Sequence, residues 1–160
     1  MSKDWLYEGK PYDPTFEEIP PEYAGFVYRI TDTETGEKYI GQKRFRRTKT
    51  LPVTKTRKRR KKTLVESDWR VYYSSSTIVK QAVTEGLSDR YLREILQFGY
   101  SKGDLNYLEM LLQAQNNVLL DDTYLNGIIN VRIHKKHISN RLKEELQNDN
   151  GTTAWDPIKG

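Results

Sequence analysis

Two tyrosines in one short stretch are the first candidates for chemistry in this sequence. Tyr28 and Tyr39 lie within residues 25–41, where two runs of β-branched and aromatic residues flank the polar segment 31–36. This pattern predicts a β-hairpin. Because side chains alternate between the faces of an antiparallel pair, the two phenol groups can meet on one side. On the hairpin alone, a pair of ordinary strand tyrosines is the preferred interpretation.

One glutamate adds a second candidate. Ser101 and Asp104 resemble a capping pair that begins a helix with a stripe of leucines on one face. Glu109 lies at the edge of that stripe, where an ionised carboxylate is costly unless a cation or hydrogen bonds compensate it. Position alone favours a salt bridge to an arginine. The tyrosine hairpin and the basic segment upstream favour a metal ion instead.

A concentrated positive charge follows the hairpin. Residues 42–62 contain six lysines and six arginines and no acid, whereas the rest of the chain has 15 basic and 22 acidic residues. Such a patch is typical of a phosphate-binding surface. A solvated loop or a localisation tag is the alternative, and the position directly after the hairpin favours nucleic acid. The predicted nucleic-acid-binding residues of this loop are Lys43, Arg44, Arg46, Arg47, Arg57, Lys58, Arg59, Arg60, Lys61 and Lys62.

Composition restricts the class of protein. The length of 160 residues suits one domain, and 36% of the residues are hydrophobic, enough for a modest core. No apolar run approaches the ~20 residues that cross a bilayer, and the first ten residues contain no apolar signal region. The absence of cysteine excludes disulfides and thiolate metal sites. A cytosolic soluble protein is therefore expected.

The remaining patterns predict a mixture of helices and strands. Four of the six prolines lie within residues 1–23, which predicts an extended arm without regular structure that packs through its aromatics. Further along, the patterns predict a helical turn in 66–76, a helix at 77–85, a strand at 91–98, a turn at 121–127, a short strand or core segment at 128–133, a helix at 137–146 and a frayed tail at 148–160. The predicted organisation is an arm (1–23), a domain (24–133) with the basic insertion 42–62, and a C-terminal helix and tail (134–160).

The amino-acid sequence of the hairpin resembles a known family motif. Phe26-Val27-Tyr28 and Tyr39-Ile40-Gly41 are similar to the paired motif of the GIY-YIG nuclease superfamily, with Phe26 where the family usually has glycine. The resemblance spans roughly residues 25–133, in which a tyrosine hairpin, a basic region, a third strand and a helix with one glutamate follow in the family's order. It implies an α+β fold with a small three-stranded antiparallel sheet flanked by helices.

Two further blocks resemble a phage-associated branch of this family. They are residues 69–76, WRVYYSSS, and the stretch from Tyr107-Leu108-Glu109 to Tyr124-Leu125-Asn126. Members of that branch often carry glycine at the position of Ser74. The resemblance implies a phage-type DNA endonuclease of the homing or restriction type, acting on double-stranded DNA in the cytoplasm of a bacterium or an infected host. Whether it acts as a monomer or a homodimer stays open.

The resemblance also carries roles onto individual residues. The implied catalytic residues are Tyr28, Tyr39, Arg70, Tyr73, Glu109 and Asn126. Glu109 would hold a single divalent ion, Mg²⁺ or Mn²⁺, which would polarise the scissile phosphate. Tyr28 would be the base or relay that activates the attacking water. Because an unperturbed phenol has a pKa of about 10, a neighbouring cation must favour its phenolate form if it is the base.

The other implied roles concern charge and shape. Tyr39 would bind the phosphate or orient the water. Arg70 would neutralise charge that develops in the transition state, and it is selected over Lys43, Arg44, Arg46 and Arg47 because a helical turn would place it beside Tyr73. Asn126 would shape the site through hydrogen bonds or serve as a turn residue.

A second class of function stays open at this point. Phe26 and Ser74 depart from the family pattern, as they would in a non-catalytic nucleic-acid-binding protein on a degenerate GIY-YIG scaffold. The presence of both tyrosines, the glutamate and nearby arginines argues against that alternative.

Overall fold

The computed structural model describes residues 4–148 and has an α+β architecture, as predicted. Its elements are β1 (Trp5–Tyr7), β2 (Lys10–Tyr12), β3 (Gly25–Asp32), β4 (Lys38–Arg44), β5 (Arg46–Leu51), β6 (Lys61–Glu66), α1 (Thr77–Thr84), β7 (Tyr91–Gly99), α2 (Lys102–Gln115) and α3 (Asn140–Asn148). Single 3₁₀ turns lie at Phe16–Glu18, Ser88–Arg90 and Lys135–His137. From position 149 onward the predicted tail lies outside the described residues.

The central sheet has five strands in the order β2-β1-β7-β3-β4. Strands β7, β3 and β4 pair antiparallel, as predicted. However, β1 pairs parallel with β7, and β2 pairs antiparallel with β1. The prediction of a three-stranded antiparallel sheet is therefore wrong in size and type, because two strands from the N-terminal segment extend the sheet and make it mixed.

The N-terminal strands form around a tight turn. Glu8 and Gly9 both adopt positive φ angles, +52° and +81°, as a two-residue hairpin turn requires. Pro11 lies on the outer edge strand β2, where a missing N–H is tolerated. Trp5 is buried and donates from its indole N–H to the Trp69 carbonyl at 2.7 Å. The expected lack of regular structure is thus wrong for residues 5–12, whereas the expected packing of the N-terminal aromatics is confirmed. The domain boundaries stay a prediction.

Strand alternation divides the apolar residues between the two faces of the sheet. One face carries an aromatic cluster that includes Phe26, Tyr28 and Trp69. On the other face, Val27 and Ile40 pack against residues of α2 and α3. Strand β4 is one of the two edge strands of this sheet, and its neighbouring residues Tyr39 and Ile40 belong to different clusters.

The start of α2 is capped as the sequence predicts. Ser101 Oγ accepts a hydrogen bond from the Asp104 N–H at 3.0 Å. The buried Asp104 carboxylate does not return that bond. It accepts instead from the Tyr100 N–H and from the N–H and hydroxyl of Ser139. This carboxylate therefore joins the start of α2 to the segment before α3.

Most of the remaining predictions hold with shifted boundaries. The helix at 77–85 and the strand at 91–98 correspond to α1 and β7, and turns occur at 68–71 and 122–123. The C-terminal helix begins at Asn140, later than predicted, because Lys135–His137 form a separate 3₁₀ turn. Residues 128–133 form no strand; Ile129 packs against the core, whereas Ile128 is exposed.

Candidate active site

The β3–β4 hairpin brings the two signature tyrosines together. In its register Tyr28 lies opposite Gly41, and Ile30 lies opposite Tyr39. Tyr28 and Tyr39 therefore share one face of the sheet, and their ring centroids lie 6.4 Å apart. The predicted meeting of the two rings is confirmed.

The glycine of the second half-motif has a steric cause. A Cβ atom at Gly41 would lie 2.5 Å from the Tyr28 hydroxyl oxygen and 3.0 Å from Cε1 of Tyr39. Side chains do not approach so closely, so only glycine allows the Tyr28 ring to lie across β4. The glycine and the two tyrosines of the hairpin thus form one packing unit.

Tyr28 is the most unusual of these residues. Its side chain is fully buried against Trp5, Phe26 and Tyr72, and its hydroxyl has no hydrogen-bond partner within residues 4–148. Burial first, and then the neighbouring Tyr72 hydroxyl, raise the pKa of Tyr28 well above its ordinary value. A buried hydroxyl without a well-aligned partner reduces stability; the hydroxyl groups of Tyr72 and Ser74 are its nearest polar neighbours, and that of Ser74 lowers the pKa.

Ser75, Tyr72 and Lys43 complete this cluster, and the sequence assigned a catalytic role to none of them. The Tyr39 and Ser75 hydroxyl oxygens are hydrogen-bonded at 2.9 Å. The Tyr72 ring lies edge-on to Tyr28 with centroids 5.9 Å apart, and the Lys43 ammonium lies 4.1 Å from the Tyr72 ring centroid. The family resemblance selected Tyr73 in this segment, whereas Tyr72 is the residue whose ring contacts Tyr28.

Arg70 and Tyr73 make their charged and cation–π contacts with residues other than the two hairpin tyrosines. The Arg70 guanidinium forms ion pairs with Asp13 at 2.8 Å and Glu66 at 3.2 Å. Tyr73 lies against the Arg93 guanidinium, 4.3 Å from its ring centroid. Within residues 4–148, none of the hydrogen bonds or ion pairs of Arg70 reaches a hairpin tyrosine. The structure therefore shows Tyr73 packed against the core cluster that contains Tyr28, whereas the polar contacts of Arg70 lie with the N-terminal segment and Glu66.

Glu109 lies on the opposite side of β4, in a cavity of about 230 Å³ that Tyr39, Gln42 and Asn126 also line. The Gln113 side-chain amide donates to its Oε1 at 3.4 Å. Burial raises the pKa of Glu109, while hydrogen bonds from Gln42 and Gln113 act in the opposite direction. Tyr39 thus borders both the tyrosine cluster and the carboxylate.

The salt bridge that position alone favoured for Glu109 is absent. Among residues 4–148, this carboxylate forms no ion pair. A half-buried acid without a cation, surrounded by amide groups, offers the hard oxygen donors that Mg²⁺ prefers. In the same range no group of three or more His, Cys, Asp or Glu side chains could hold a metal. The donor set therefore fits an ion that keeps most of its waters, as Mg²⁺ usually does.

Asn126 holds the backbone of the half-motif in place. Its side-chain oxygen accepts from the Ile40 N–H at 3.0 Å, and its amide donates to the Ile40 carbonyl at 2.8 Å. Gln113 donates to the same carbonyl at 3.1 Å. Because β4 is an edge strand, these groups have no partner strand, and the two amides satisfy them. Asn126 thus holds the backbone between Tyr39 and Gly41, and it also lines the cavity of Glu109; its catalytic role stays a prediction.

The predicted nucleic-acid-binding residues differ in their surroundings. Arg46 donates to the carbonyls of residues 19, 20 and 23, which makes it a structural residue at the base of the segment. Lys43 forms an ion pair with Asp68 at 2.5 Å, and Arg57 donates to the Pro52 carbonyl. The exposed members are Arg44, Arg47, Lys58, Arg59, Arg60, Lys61 and Lys62. The basic segment 42–62 is not simply a loop, because it contains strand β5 and the first two residues of strand β6.

The sheet, the tyrosine hairpin and the helix-borne glutamate together define a nuclease domain of the GIY-YIG class. A family model described as "Putative endonuclease segE, GIY-YIG domain" matches residues 5–129. The chain therefore belongs to this family of endonuclease domains, whose substrates are nucleic acids. No curated protein and no solved structure matched the chain. Within residues 4–148, no helix is long and apolar enough to cross a membrane.

Proposed function

We propose that this protein is a divalent-metal-dependent endonuclease that hydrolyses phosphodiester bonds in double-stranded DNA, of the phage-associated homing or restriction type. The observation that carries the proposal is the half-buried Glu109 carboxylate. It has no cationic partner among residues 4–148, and it lies in a cavity that Tyr39 of the hairpin also lines. Membership of an endonuclease family supports the same reaction class.

Glu109 would hold Mg²⁺ or Mn²⁺ in this cavity. When bound, such an ion supplies Lewis-acid polarisation of the phosphate and stabilises the leaving oxygen. Gln42 and Gln113 keep the carboxylate oriented through hydrogen bonds. Burial of the carboxylate also limits competing water, which strengthens its interaction with a cation.

Tyr28 acts as a proton relay in this proposal. Its raised pKa makes it a neutral phenol at neutral pH, so a free phenolate base is disfavoured. In the reaction, a water oxygen bonds to phosphorus and the bond to the leaving sugar oxygen breaks. Tyr28 accepts the water proton while its own proton passes, by way of a phosphate oxygen, to the leaving sugar oxygen, which departs as an alcohol. Because its hydroxyl is fully buried in the free protein, substrate binding must move a neighbouring side chain such as Tyr72.

Two other residues complete the proposed machinery. Tyr39, whose hydroxyl is held by Ser75, orients the water or the phosphate. Lys43 brings its positive charge to the tyrosine cluster. In this proposal it exchanges its ion pair with Asp68 for the phosphate and neutralises charge there, the role that the resemblance gave to Arg70. Nothing in the contacts of Arg70 supports that role, although it stays a prediction.

The reaction is tested on supercoiled plasmid. Purified protein is expected to nick or linearise the plasmid with Mg²⁺ or Mn²⁺. It should leave the plasmid intact with EDTA, because the proposed reaction needs the metal ion as its Lewis acid. Product ends are checked by end-labelling and gel electrophoresis. Retarded but uncut plasmid in every metal would contradict the proposal and would favour the non-catalytic DNA-binding alternative that Phe26 and Ser74 kept open.

A further inference from the structure

The basic segment forms a β-ribbon that stands apart from the central sheet. Within residues 4–148, strands β5 and β6 pair only with each other, from Arg46 opposite Glu66 to Leu51 opposite Lys61. The base of the ribbon is fixed: Phe45 is fully buried, its carbonyl accepts from the Ser67 N–H at 2.8 Å, and the Ser67 hydroxyl donates to the Arg44 carbonyl at 2.6 Å. The ribbon, residues 46–66, therefore projects from a firm base directly after the catalytic hairpin.

One face of the ribbon is positively charged. Alternation along the strands places Arg47, Lys49 and Lys61 on the same face, together with Leu51, Thr63 and Val65. The three basic residues are exposed, whereas Leu51, Thr63 and Val65 are half-buried. No acid lies on this face. The only acid of the ribbon, Glu66, belongs to the other face at the base, where it pairs with Arg70. The charged face is therefore free of internal neutralisation within the ribbon.

The ribbon also contains no aromatic residue. Proteins that bind single strands use aromatic side chains on which bases stack, so this surface does not suit single-stranded substrate. Two β-strands lie about 4.8 Å apart, and the major groove of B-DNA, about 12 Å wide, admits such a ribbon. The major groove of an A-form RNA duplex is too narrow for it.

We propose that the ribbon inserts into the major groove of double-stranded DNA, with its Arg47–Lys49–Lys61 face toward the duplex. The inference rests on the proposed DNA substrate and names the element that selects it. Its base lies next to the candidate site, because Arg47 and Thr48 line the same surface groove as Lys43 and Tyr72. A duplex held by the ribbon would therefore be directed to the tyrosine cluster.

Charge-matched variants test the ribbon by binding alone. The ribbon variant R47Q/K49Q/K61Q is compared with K10Q/K80Q/K136Q, which removes the same charge from exposed positions elsewhere. Affinity is measured by fluorescence anisotropy in EDTA with a short DNA duplex and an RNA duplex of the same sequence. We expect the native protein to prefer the DNA duplex by about tenfold or more. The ribbon variant should lose about tenfold in DNA affinity and show a shallower salt dependence, while the control variant changes little. Circular dichroism verifies folding, and the single variant K49Q, with a smaller loss, replaces the triple variant if that variant unfolds.

Methylation interference then identifies the groove. Dimethyl sulfate modifies guanine N7 in the major groove and adenine N3 in the minor groove. Interference at guanine N7 that disappears in the ribbon variant supports insertion. Interference confined to adenine N3, equal binding of DNA and RNA duplexes, or native affinity in the ribbon variant would overturn it. These outcomes are independent of cleavage. If the protein binds DNA in this way but never cuts it, only the proposed nuclease activity is overturned. If the protein cuts DNA but the ribbon variant keeps native DNA affinity, only the proposed role of the ribbon is overturned.

Discussion

Replacement of Glu109 by glutamine is expected to reduce DNA cleavage by about 10³-fold or more, since about 4 kcal/mol of transition-state stabilisation would be lost with the cation. Binding of the duplex should change little, because the carboxylate faces a cavity of its own rather than the basic ribbon. The rate of plasmid cleavage in Mg²⁺ and the anisotropy of a labelled duplex in EDTA measure the two effects separately.

The same substitution should stabilise the metal-free protein. Burial raises the pKa of Glu109, so the folded state takes up a proton at a higher pH than the unfolded state. The stability contribution of Glu109 is therefore lost as pH rises through the folded-state pKa. The melting temperature of the Glu109→Gln variant should exceed that of the native protein at neutral pH, and the difference should shrink on acidification. Glu144→Gln, at an exposed position, is the matched control.

Undiminished plasmid cleavage by Glu109→Gln would contradict the proposal that Glu109 holds the metal ion.

Like Glu109→Gln, replacement of Tyr28 by phenylalanine is expected to slow DNA cleavage without lowering the melting temperature. The ring and its contacts with Trp5, Phe26 and Tyr72 remain, and only a buried hydroxyl without a partner in residues 4–148 is removed. The melting temperature is expected to stay the same or rise. Cleavage should fall by about 10²- to 10³-fold, the range typical of a lost proton-transfer group. Single-turnover cleavage and thermal unfolding measure the two effects.

Tyr12→Phe provides the control for Tyr28→Phe, because it removes a phenol hydroxyl from the same aromatic cluster at a position outside the proposed site. It should cleave at the native rate. A Tyr28→Phe variant with native cleavage would exclude the hydroxyl from the reaction, and one that unfolds would show that the hydroxyl has a structural partner.

The tyrosine hairpin and α2 could be predicted because their signals are local. The polar turn at 31–36 closes on itself, with the Asp32 carboxylate accepting from the Glu34 and Thr35 N–H groups. Ser101 lies beside the helix that it caps. In both cases the element is determined by contacts between residues a few positions apart, which a sequence pattern can reveal.

The extra strands could not be predicted because their stability comes from distant residues. Strand β1 pairs with β7, to which it contributes Leu6 opposite Glu94, and the dense prolines concealed the turn at Glu8 and Gly9. The ribbon strands were missed because charged residues and threonines predominate there and neither strand has apolar residues at alternate positions. A strand exposed on both faces has no period-2 hydrophobic signal.

Site residues could be predicted where the family motif identifies them. They could not be predicted where contacts between distant parts of the chain decide the position of a side chain. Tyr28, Tyr39 and Glu109 follow from the hairpin motif and the helix. Arg70 was selected by helical spacing, yet Asp13 from the N-terminal segment holds its guanidinium elsewhere, and no local pattern reveals such a partner. For the same reason the side of the turn on which Tyr72 projects became clear only from the structure.

The most direct test of the central claim is a Mn²⁺ titration of isotope-labelled protein followed by NMR. If Glu109 holds the ion beside the tyrosine hairpin, backbone amide signals of Tyr39, Gln42 and Asn126 broaden first in the native protein and stay sharp in Glu109→Gln. Broadening centred on the exposed Asp121–Asp122 pair, or broadening around β4 that persists in Glu109→Gln, would contradict the proposed metal centre.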